Sequence, residues 1–337
     1  MRDTLKKLRE QHDDALVSLL VEPGATHFAW SRRYAAFVAD FIAAAAESRI
    51  PDWPVDATAP VRCRDLNPAD GALSSFALES VDRPGAAAYR TYGGDPARAM
   101  WHLNEKLARA AEAMHKLMYT RRAQFIAFAH PDHGRPVMPG HDLRVRYPLH
   151  WTGPGEFTAD SKFIDRAPDK YPSVDDPITH ADGEVRLRTY GGQAEKVDDA
   201  TFRIKLNPRR RMEANLLAYH PGDETYRYAE QGAILRLPER VEDGKAQSIT
   251  FPEIDPIRVG AEPVALEATS DSDLPVSYYI ERGPAVIEDG TLRLADVPEH
   301  GKLPPEIVVV AWQYGSAVEP RVKTAERVEQ RIELLTE

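Results

Sequence analysis

The stretch Glu184-Val-Arg-Leu-Arg-Thr-Tyr190 alternates polar and apolar side chains. Because successive side chains of a β-strand point to opposite faces, this alternation predicts a strand with one face in a core and the other in water. Similar short runs, separated by turn-rich loops, occur on both sides of it and together predict an antiparallel β-sandwich over residues 123–254. They are Phe125-Ile-Ala-Phe128, Leu143-Arg-Val-Arg-Tyr147, Thr201-Phe-Arg-Ile-Lys-Leu206, Ala214-Asn-Leu-Leu-Ala-Tyr219, Gly232-Ala-Ile-Leu-Arg-Leu237 and Gln247-Ser-Ile-Thr-Phe251.

A second set of β signals follows in residues 255–337. Asp289-Gly290 stands between two apolar runs, and this pattern predicts a hairpin because glycine adopts the positive φ that tight turns need. The run Ile307-Val-Val-Val-Ala-Trp312 predicts a buried central strand. Residues 328–334 predict the strand that closes the sheet.

The order of these features resembles bacterial immunoglobulin-like modules, which decorate secreted and surface proteins. The resemblance covers about residues 255–337 and implies a β-sandwich fold, while it says very little about function. The other sequence elements that carry it are Ala268-Thr-Ser-Asp-Ser-Asp-Leu-Pro-Val-Ser-Tyr278 and Gly283-Pro-Ala-Val-Ile287.

The first 50 residues mix helical and strand patterns. Residues 2–12 predict a short helix, which leads into Ala15-Leu-Val-Ser-Leu-Leu-Val21, an apolar run of strand length. The Pro-Gly pair in Glu22-Pro-Gly-Ala-Thr-His-Phe28 then predicts a loop. A second helix follows, with Ser31 as its N-cap and an apolar stripe at helical spacing.

The phrase Pro23-Gly-Ala-Thr-His-Phe28 resembles the loop that carries the catalytic histidine after the last strand of α/β-hydrolases. The resemblance covers residues 1–50 and implies that His27 is the general base that takes a proton from a nucleophile. Thr26 stands where many relatives have glycine, and the chain contains no G-x-S-x-G nucleophile motif. The nucleophile is therefore unidentified. The alternative is a loop histidine that caps a helix or meets solvent.

Residues 51–122 are interpreted as a linker followed by an amphipathic helix. Asp95-Pro96 is typical of a helix start, with Asp as N-cap and Pro in the first turn. Glu112-x-x-His115 has the spacing of a di-iron carboxylate helix, but the sequence offers no second copy. We therefore interpret the segment as an ordinary amphipathic helix, with one face in solvent and an apolar stripe packed against the protein, and not as a di-iron site. The face comprises His102, Glu105, Arg109 and Glu112, and the stripe Met100, Leu103, Leu107, Ala111, Met114 and Met118.

Charge and composition limit the partners. The net charge of −10 argues against nucleic acid, whose binding needs clustered basic residues. The run Arg209-Arg-Arg211 is interpreted as a solvated or carboxylate-paired cluster, and no apolar run is long enough to span a membrane. The lone Cys63 excludes an internal disulfide and is interpreted as packed. The charged start without a signal peptide predicts a cytoplasmic location, or an extracellular one if the N-terminus is truncated.

The densest group of potential metal ligands is His130-Pro-Asp-His133, followed by His141-Asp142. His130, Asp132 and His133 could hold a divalent ion, which would lower the pKa of its bound water. The alternative is an ordinary loop, because proline- and glycine-containing loops commonly collect histidine and aspartate.

An acidic loop and a group of aromatic residues are further candidate binding sites. Asp271 and Asp273 lie in an acidic loop and suit Ca²⁺, which prefers oxygen ligands, although aspartate also forms turns without any metal. Tyr147, Trp151 and Tyr171 could stack on sugar rings if they are exposed.

These features favour a hydrolase of carboxylic esters or lactones, with His27 as base or with a water activated by Ca²⁺ or another divalent metal ion. The alternative is a non-catalytic carbohydrate-binding or spacer region of a polysaccharide-processing protein, and a purely structural surface fragment is the third hypothesis. The expected partner is a small-molecule or glycan substrate. The predicted fold class is mainly β, with an α/β N-terminal remnant, a β-sandwich and a C-terminal immunoglobulin-like domain. The predicted segments are 1–50, 51–122, 123–254 and 255–337.

Overall fold

The computed structural model describes residues 1–12, 14–26, 31–51, 60, 62–138, 144–168, 177–206, 211–295 and 306–335. The chain divides into two compact units, each assembled from separate chain segments. Unit 1 comprises Met1–Ile126, Phe163–Val185 and Tyr219–Glu230, and unit 2 comprises Ala127–Lys162, Arg186–Ala218 and Gln231–Glu337. Because both units interleave segments, they do not test boundaries drawn along the chain, and the predicted segment boundaries stay a prediction.

Two helices of unit 1 begin at side-chain caps. The Oγ of Ser31 accepts a hydrogen bond from the Tyr34 N–H at 3.0 Å, and the Oδ1 of Asn104 accepts one from the Leu107 N–H at 2.9 Å. Such caps satisfy N–H groups that a helix start leaves without an intrahelical partner. The described helices are α1 (Arg2–Gln11), α2 (Arg32–Arg49) and α3 (Glu105–Thr120), and short 3-10 turns lie at Pro68–Asp70, Tyr89–Thr91 and Pro96–Arg98.

A small antiparallel sheet lies in the segment that the sequence predicts to be a linker. Strand β1 (Ala72–Ser75) pairs with β2 (Ala87–Ala88) on one side and with β3 (Ala99–His102) on the other. Helix α3 packs against β1. The linker prediction is therefore wrong here, because burial of strands β1 and β3 outweighs the turn-rich composition of the surrounding segment. The buried residues of α3 are Leu107, Ala108, Ala111, Met114 and His115.

Helix α3 begins later than predicted. Asp95 caps only the 3-10 turn Pro96–Arg98, and its Oδ1 accepts a hydrogen bond from the Ala97 N–H at 3.0 Å. The chain then extends into the buried strand β3 before Asn104 caps the helix. A capping aspartate and a proline suit either kind of helical turn, so the pairing of β3 with β1 decides the boundary.

Residues 15–21 form no strand, although the sequence predicts one. Their backbone groups form hydrogen bonds with both backbone and side-chain atoms, and not with a single neighbouring strand. The Val17 carbonyl accepts a hydrogen bond from the Trp101 N–H at 2.8 Å, whereas the Val21 N–H donates to the Nε2 of His115 at 3.2 Å. An extended segment of this kind is apolar and anchored, but it lacks the regular ladder that defines a strand.

The buried guanidinium of Arg9 anchors helix α1, as predicted over residues 2–12, within unit 1. Only 1% of Arg9 is exposed. It donates hydrogen bonds to the carbonyl oxygens of Ala15, Pro96 and Ala99, at 2.7, 2.9 and 3.2 Å. Arginine is suited to this role because its planar donors can serve several acceptors at once.

Two further predictions for this region are wrong. His102, expected on a solvated helical face, belongs to strand β3 and is buried. Cys63, expected to be packed, is exposed. By contrast, Glu105 and Arg109 do lie on a solvated face, where they form an exposed ion pair one helical turn apart.

The strands between residues 125 and 236, which lie mainly in unit 2, form two four-stranded sheets and one three-stranded sheet. The sheet orders are β10-β13-β14-β6, β11-β12-β8-β7 and β5-β4-β9. The strands are β4 (Phe125–Ala129), β5 (Pro136–Val137), β6 (Arg144–Arg146), β7 (His150–Gly153), β8 (Glu156–Thr158), β9 (Asp160–Ile164), β10 (Arg186–Gly192), β11 (Ala194–Lys196), β12 (Thr201–Ile204), β13 (Glu213–His220) and β14 (Ala229–Arg236).

The sheet β10-β13-β14-β6 departs from the predicted antiparallel arrangement. Strands β14 and β6 are parallel, with Ala233 opposite Val145 and Ile234 opposite Arg146. The prediction is wrong for this pair, because the long chain between the two strands provides the crossover that parallel pairing needs. The alternation itself is as predicted, since Val145, Ala233 and neighbouring positions face a core. The fully buried residues of that face include Val145, Ala214, Leu216, Ala233 and Leu235.

The last part of unit 2 is an immunoglobulin-like β-sandwich. The predicted hairpin is confirmed, since Asp289 and Gly290 have φ values of 49° and 74° and connect two paired strands. The sheet orders are β16-β23-β22-β19, β17-β21-β20 and β15-β18. The strands are β15 (Ile249–Thr250), β16 (Ile257–Arg258), β17 (Val264–Ala265), β18 (Thr269–Ser270), β19 (Ser277–Arg282), β20 (Ala285–Glu288), β21 (Thr291–Leu294), β22 (Glu306–Trp312) and β23 (Val328–Leu335).

Strand β22 lies in the middle of its sheet, as its continuous apolar run predicts. From Ile307 to Trp312 every residue is buried. Ile307, Val309 and Ala311 share one face and pack in the core of this sandwich, because alternate residues of a strand point the same way. The other core residues are Phe251, Ile257, Leu266, Leu292, Ile332 and Leu334.

The described chain is mainly β, with its α-helices in unit 1, and this confirms the predicted fold class. Within the described ranges, no helix is long and apolar enough to cross a membrane.

Candidate functional site

His27, the predicted general base, lies outside the described residues, but both flanks of its loop are described. On the N-terminal side a turn is closed by the Ala25 N–H, which donates to the Glu22 carbonyl at 3.2 Å. Gly24 has a φ of +87°, and a Cβ there would stand 1.7 Å from the Tyr228 carbonyl oxygen. Only glycine fits a backbone that approaches so closely at positive φ.

Two buried glutamates flank this loop. Glu230 is 7% exposed, and its Oε2 accepts a hydrogen bond from the Tyr228 hydroxyl at 2.6 Å. Its Oε1 accepts another from the Thr26 N–H, next to the predicted base. Glu22 is 8% exposed, and its Oε2 has no hydrogen-bond partner among the described residues.

Burial raises the pKa of both carboxyl groups, because desolvation disfavours the charged form. For Glu22, a hydrogen bond from the Ser31 hydroxyl and the charge of Arg33 oppose that increase in pKa. For Glu230, hydrogen bonds from Tyr228 and Thr26 oppose it, while the negative charge of Glu22 adds to it. Two neighbouring carboxyl groups of this kind can hold and transfer a proton, which is the chemistry of general acids and bases.

Sequence reasoning missed this acidic pair. Glu22 directly precedes the Pro-Gly phrase and could have been noticed as part of the loop. Glu230 could not, because it lies 204 residues along the chain from Thr26 and reaches the loop only through the fold.

Unit 1 also buries two histidines. The Nε2 of His102 lies 2.8 Å from the Oγ of Ser74, and the Nε2 of His115 accepts a hydrogen bond from the Val21 N–H. Desolvation lowers the pKa of each imidazole to about 4, aided by the charge of His115 for His102 and by that of Arg83 for His115. Both are therefore neutral at pH 7 and serve as hydrogen-bonding parts of the core.

The histidine loop of unit 2 does not gather three ligands in its described part. The rings of His130 and His133 stack at 4.1 Å, and the His130 Nδ1 lies 3.8 Å from a carboxylate oxygen of Asp132. Both Nδ1 atoms also accept backbone hydrogen bonds, from Asp132 and Arg135. His141 and Asp142, which follow in the sequence, lie outside the described residues, so metal binding here stays a prediction.

The acidic loop of the immunoglobulin-like sandwich is organised as a turn. The carboxylate of Asp271 accepts hydrogen bonds from the N–H and hydroxyl of Ser248, at 2.9 and 2.8 Å, and these bonds lower its pKa. Asp273 has a φ of 61°, a conformation that aspartate tolerates better than most residues. Across the described chain, no group of three or more His, Cys, Asp or Glu residues is placed to hold a metal ion. Calcium binding at Asp271 and Asp273 stays a prediction.

The aromatic residues considered for sugar stacking are less accessible than expected. Tyr147 is 4% exposed and donates its hydroxyl hydrogen bond to the Ala129 carbonyl at 2.7 Å. Trp151 is half-buried against Phe157 and Tyr314. Tyr171 lies outside the described residues. A sugar-stacking role for Tyr147 is therefore wrong, because its ring and hydroxyl are used in the core.

A groove of about 550 Å³ opens instead on the solvent-facing side of the sheet β10-β13-β14-β6. This volume falls within the range of small-ligand pockets. Four of the described arginines line it, and we call it the arginine groove. Its lining residues are Arg144, Arg146, Tyr147, Pro148, Leu149, Arg211, Glu213, Ile234 and Arg236.

The sequence contains a partial signal for this groove. Arg144 and Arg146 alternate with the buried Val145, so they share the face opposite the core. Arg211 ends the basic run that was interpreted as a solvated cluster, and Arg236 follows the same alternation as Ile234. What the sequence could not reveal is that β6 and β14 are neighbours, which is what brings these side chains together.

No protein-family model matches the chain, and no curated protein matches it. Among solved structures, Drosophila N-cadherin EC1-4 is similar at 12% identity over 56% of this chain and 48% of that chain, with a TM-score of 0.20. Human protocadherin-24 EC1-2 shows 11% identity over 58% and 94% of the two chains, with a TM-score of 0.19. Fibronectin(III)-like modules of Clostridium thermocellum CbhA show 12% identity over 63% and 94% of the two chains, with a TM-score of 0.17.

The chain thus spans about half of the N-cadherin fragment that it matches. Similarities with such low TM-scores indicate nothing about function. The immunoglobulin-like fold of the last part of unit 2 is assigned from the pairing of strands β15 to β23.

Proposed function

We propose that the chain is a non-catalytic carbohydrate-binding and spacing region of a polysaccharide-processing protein. The observation that supports this most is the arginine groove, an open surface of ligand size that combines hydrogen-bond donors with apolar side chains. Pro148, Leu149 and Ile234 offer apolar contact to the C–H faces of a sugar, while guanidinium groups donate to its oxygens. The immunoglobulin-like sandwich, with its continuous core, suits the spacing role.

Binding and turnover should be measured together to test this function. The full chain is incubated with a panel of insoluble and soluble polysaccharides, and the bound fraction is measured by sedimentation and affinity electrophoresis. Release of reducing ends or acyl groups is followed in the same samples. The proposal expects retention on at least one glycan without product release. Absence of retention on every glycan would overturn it.

A second candidate function is hydrolysis of esters or lactones with His27 as general base. The observation that favours it is the acidic pair at the loop, because Glu230 binds the backbone of Thr26 and Glu22 begins the same turn. A carboxyl group beside a histidine can orient the imidazole or stabilise its charged form.

The test of this second function is a comparison of His27→Ala with His12→Ala, an exposed histidine of the same unit. Both are assayed on a panel of activated acyl compounds. Loss of turnover in the first variant alone supports the histidine route, and equal rates in both contradict it. Loss in EDTA with recovery in Ca²⁺ or Zn²⁺ would instead support the metal route through His130, Asp132 and His133 or through Asp271 and Asp273.

A further inference from the structure

The arginine groove concentrates positive charge on an acidic protein. The chain carries a net charge of −10, yet among the described residues four guanidinium groups and a single carboxylate, that of Glu213, line this one surface. Arg146, Arg211 and Arg236 are exposed. None of these three forms an ion pair with another described residue, whereas many exposed arginines elsewhere in the described chain do.

The strand register explains why the arginines converge. Arg146 stands opposite Ile234 in the parallel pairing of β6 with β14, and Arg236 lies two residues further along the same face. At the position of Gly232, opposite Arg144, an added Cβ would stand 3.4 Å from the Arg144 side chain. The Arg144 side chain therefore lies close over β14 at this position. Arg211 joins them just before β13.

These features select an anionic ligand. A guanidinium group presents several N–H donors in one plane and binds a carboxylate through two parallel hydrogen bonds. The three exposed guanidinium groups, with one opposing carboxylate among the described residues, would repel a cation and would bind a carboxylate more strongly than the hydroxyl oxygens of a neutral sugar. The apolar side chains of Leu149 and Ile234 in the same groove suit a ligand that also has C–H surface.

We propose that the arginine groove binds a carboxylated polysaccharide, a chain of uronic acid units, with Arg146 and Arg236 as its main contacts. This inference rests on the proposed carbohydrate-binding function and names its ligand class. A uronate chain carries carboxylates at regular intervals beside C–H faces, and it therefore matches both parts of the groove. Nucleic acid is less suited, because the strongly negative net charge of the chain opposes a long polyphosphate backbone.

The test measures binding of five polymers to the full chain by affinity electrophoresis and calorimetry. Three are polysaccharides: polygalacturonate, the same polymer with its carboxyl groups methyl-esterified, and neutral dextran. The other two are inorganic polyphosphate and single-stranded DNA. Arg146→Gln/Arg236→Gln is measured beside the matched control Arg203→Gln/Arg282→Gln. The control removes the same charge from arginines that are already ion-paired, with Glu156 and Glu306.

The expected result is binding of polygalacturonate that weakens about tenfold or more in the groove variant, since each guanidinium contributes a charge-assisted hydrogen bond. The control variant and wild type should bind alike, and wild-type affinity should fall as NaCl rises from about 0.05 to about 0.5 M. Near-normal circular dichroism and melting of the groove variant would show that it is folded.

Three outcomes would overturn the inference. Equal binding of the esterified polymer and polygalacturonate, unaffected by the groove variant, would leave the carbohydrate-binding function standing and refute the groove's selectivity. Binding of inorganic polyphosphate or single-stranded DNA in place of any glycan, lost in the groove variant, would refute the ligand class. Binding of no polymer at all would refute the ligand and the proposed function together.

Discussion

Unit 1 and the sheet β10-β13-β14-β6 place their ionisable side chains in opposite ways. In unit 1, Glu22, Glu230, His102 and His115 are buried, and each has a pKa displaced towards its neutral form. On the sheet, the arginines occupy the face that looks away from the core and remain in contact with water.

The difference shows that ionisable side chains serve separate purposes in the two regions. A buried titratable group ties the stability of the fold to pH, because folding changes its affinity for protons. An exposed guanidinium contributes little to stability but sets which ligands the surface attracts. Variants in unit 1 should therefore alter stability, and variants in the arginine groove should alter binding.

The largest effect is expected at the turn beside the acidic pair. In Gly24→Ala, the new Cβ would meet the Tyr228 carbonyl oxygen at 1.7 Å, at a φ of +87°. The backbone at residue 24 or at Tyr228 must move to relieve this overlap. We therefore expect the free energy of unfolding to fall by about 3 kcal/mol or more.

Chemical denaturation measures this loss, with Gly93→Ala as the control. A Cβ at Gly93 would have no atom within 4 Å, and its φ is not in the left-handed region. That variant should change stability by no more than about 1 kcal/mol. Similar values for the two variants would mean that the close approach at Gly24 does not constrain unit 1.

An effect of similar size for each of two residues is expected from pH. His102 and His115 have a folded pKa of about 4, below the ordinary value of 6.5. Between these values the unfolded state binds more protons, so stability is full above pH 6.5 and falls as the pH decreases towards 4. The expected loss is about 3 kcal/mol for each histidine.

Denaturation curves at several pH values test this, with wild type compared with His102→Gln. The variant should lose about half of the histidine-dependent slope, and its stability at pH 8 reports the cost of the substitution itself. The comparison between variants matters because the raised pKa values of Glu22 and Glu230 act in the opposite direction. An unchanged slope in the variant would contradict the neutral state of His102 in the core.

The smallest effect on stability is expected in the arginine groove. Arg146→Gln/Arg236→Gln should change the free energy of unfolding by no more than about 0.5 kcal/mol for each residue, because both side chains are exposed. Thermal melting of this variant beside wild type provides the measurement. A loss of several kcal/mol would show that the two arginines support the sheet, and the contrast with unit 1 would disappear.

Local pattern was enough to predict the β-rich fold. The alternation around Val145 and the continuous run of β22 each identify a strand and its buried face. The Asp289-Gly290 turn is equally readable, because its geometry depends on two adjacent residues. Residues 15–21 misled the prediction, since an apolar run does not reveal whether its backbone will find a neighbouring strand.

The candidate sites depended on contacts that no local pattern contains. Glu230 reaches Thr26 across 204 positions, and Arg236 joins Arg146 only because β14 and β6 pair in parallel. The residues that sequence reasoning selected, by contrast, were near neighbours in the chain, such as His130 and His133. In the described loop these two histidines stack their rings on each other and do not converge on a common point as metal ligands would.

The three carbonyl bonds of Arg9 have a practical consequence for anyone who shortens this chain. Most residues of helix α1 are exposed to solvent, so from exposure alone its deletion from an expressed protein would not be expected to disturb the core. The deletion would, however, remove Arg9 and leave the carbonyl oxygens of Ala15, Pro96 and Ala99 without its hydrogen bonds. A truncated product that starts after residue 9 would thus be expected to precipitate or to be digested readily by proteases, even if unit 2 stays folded.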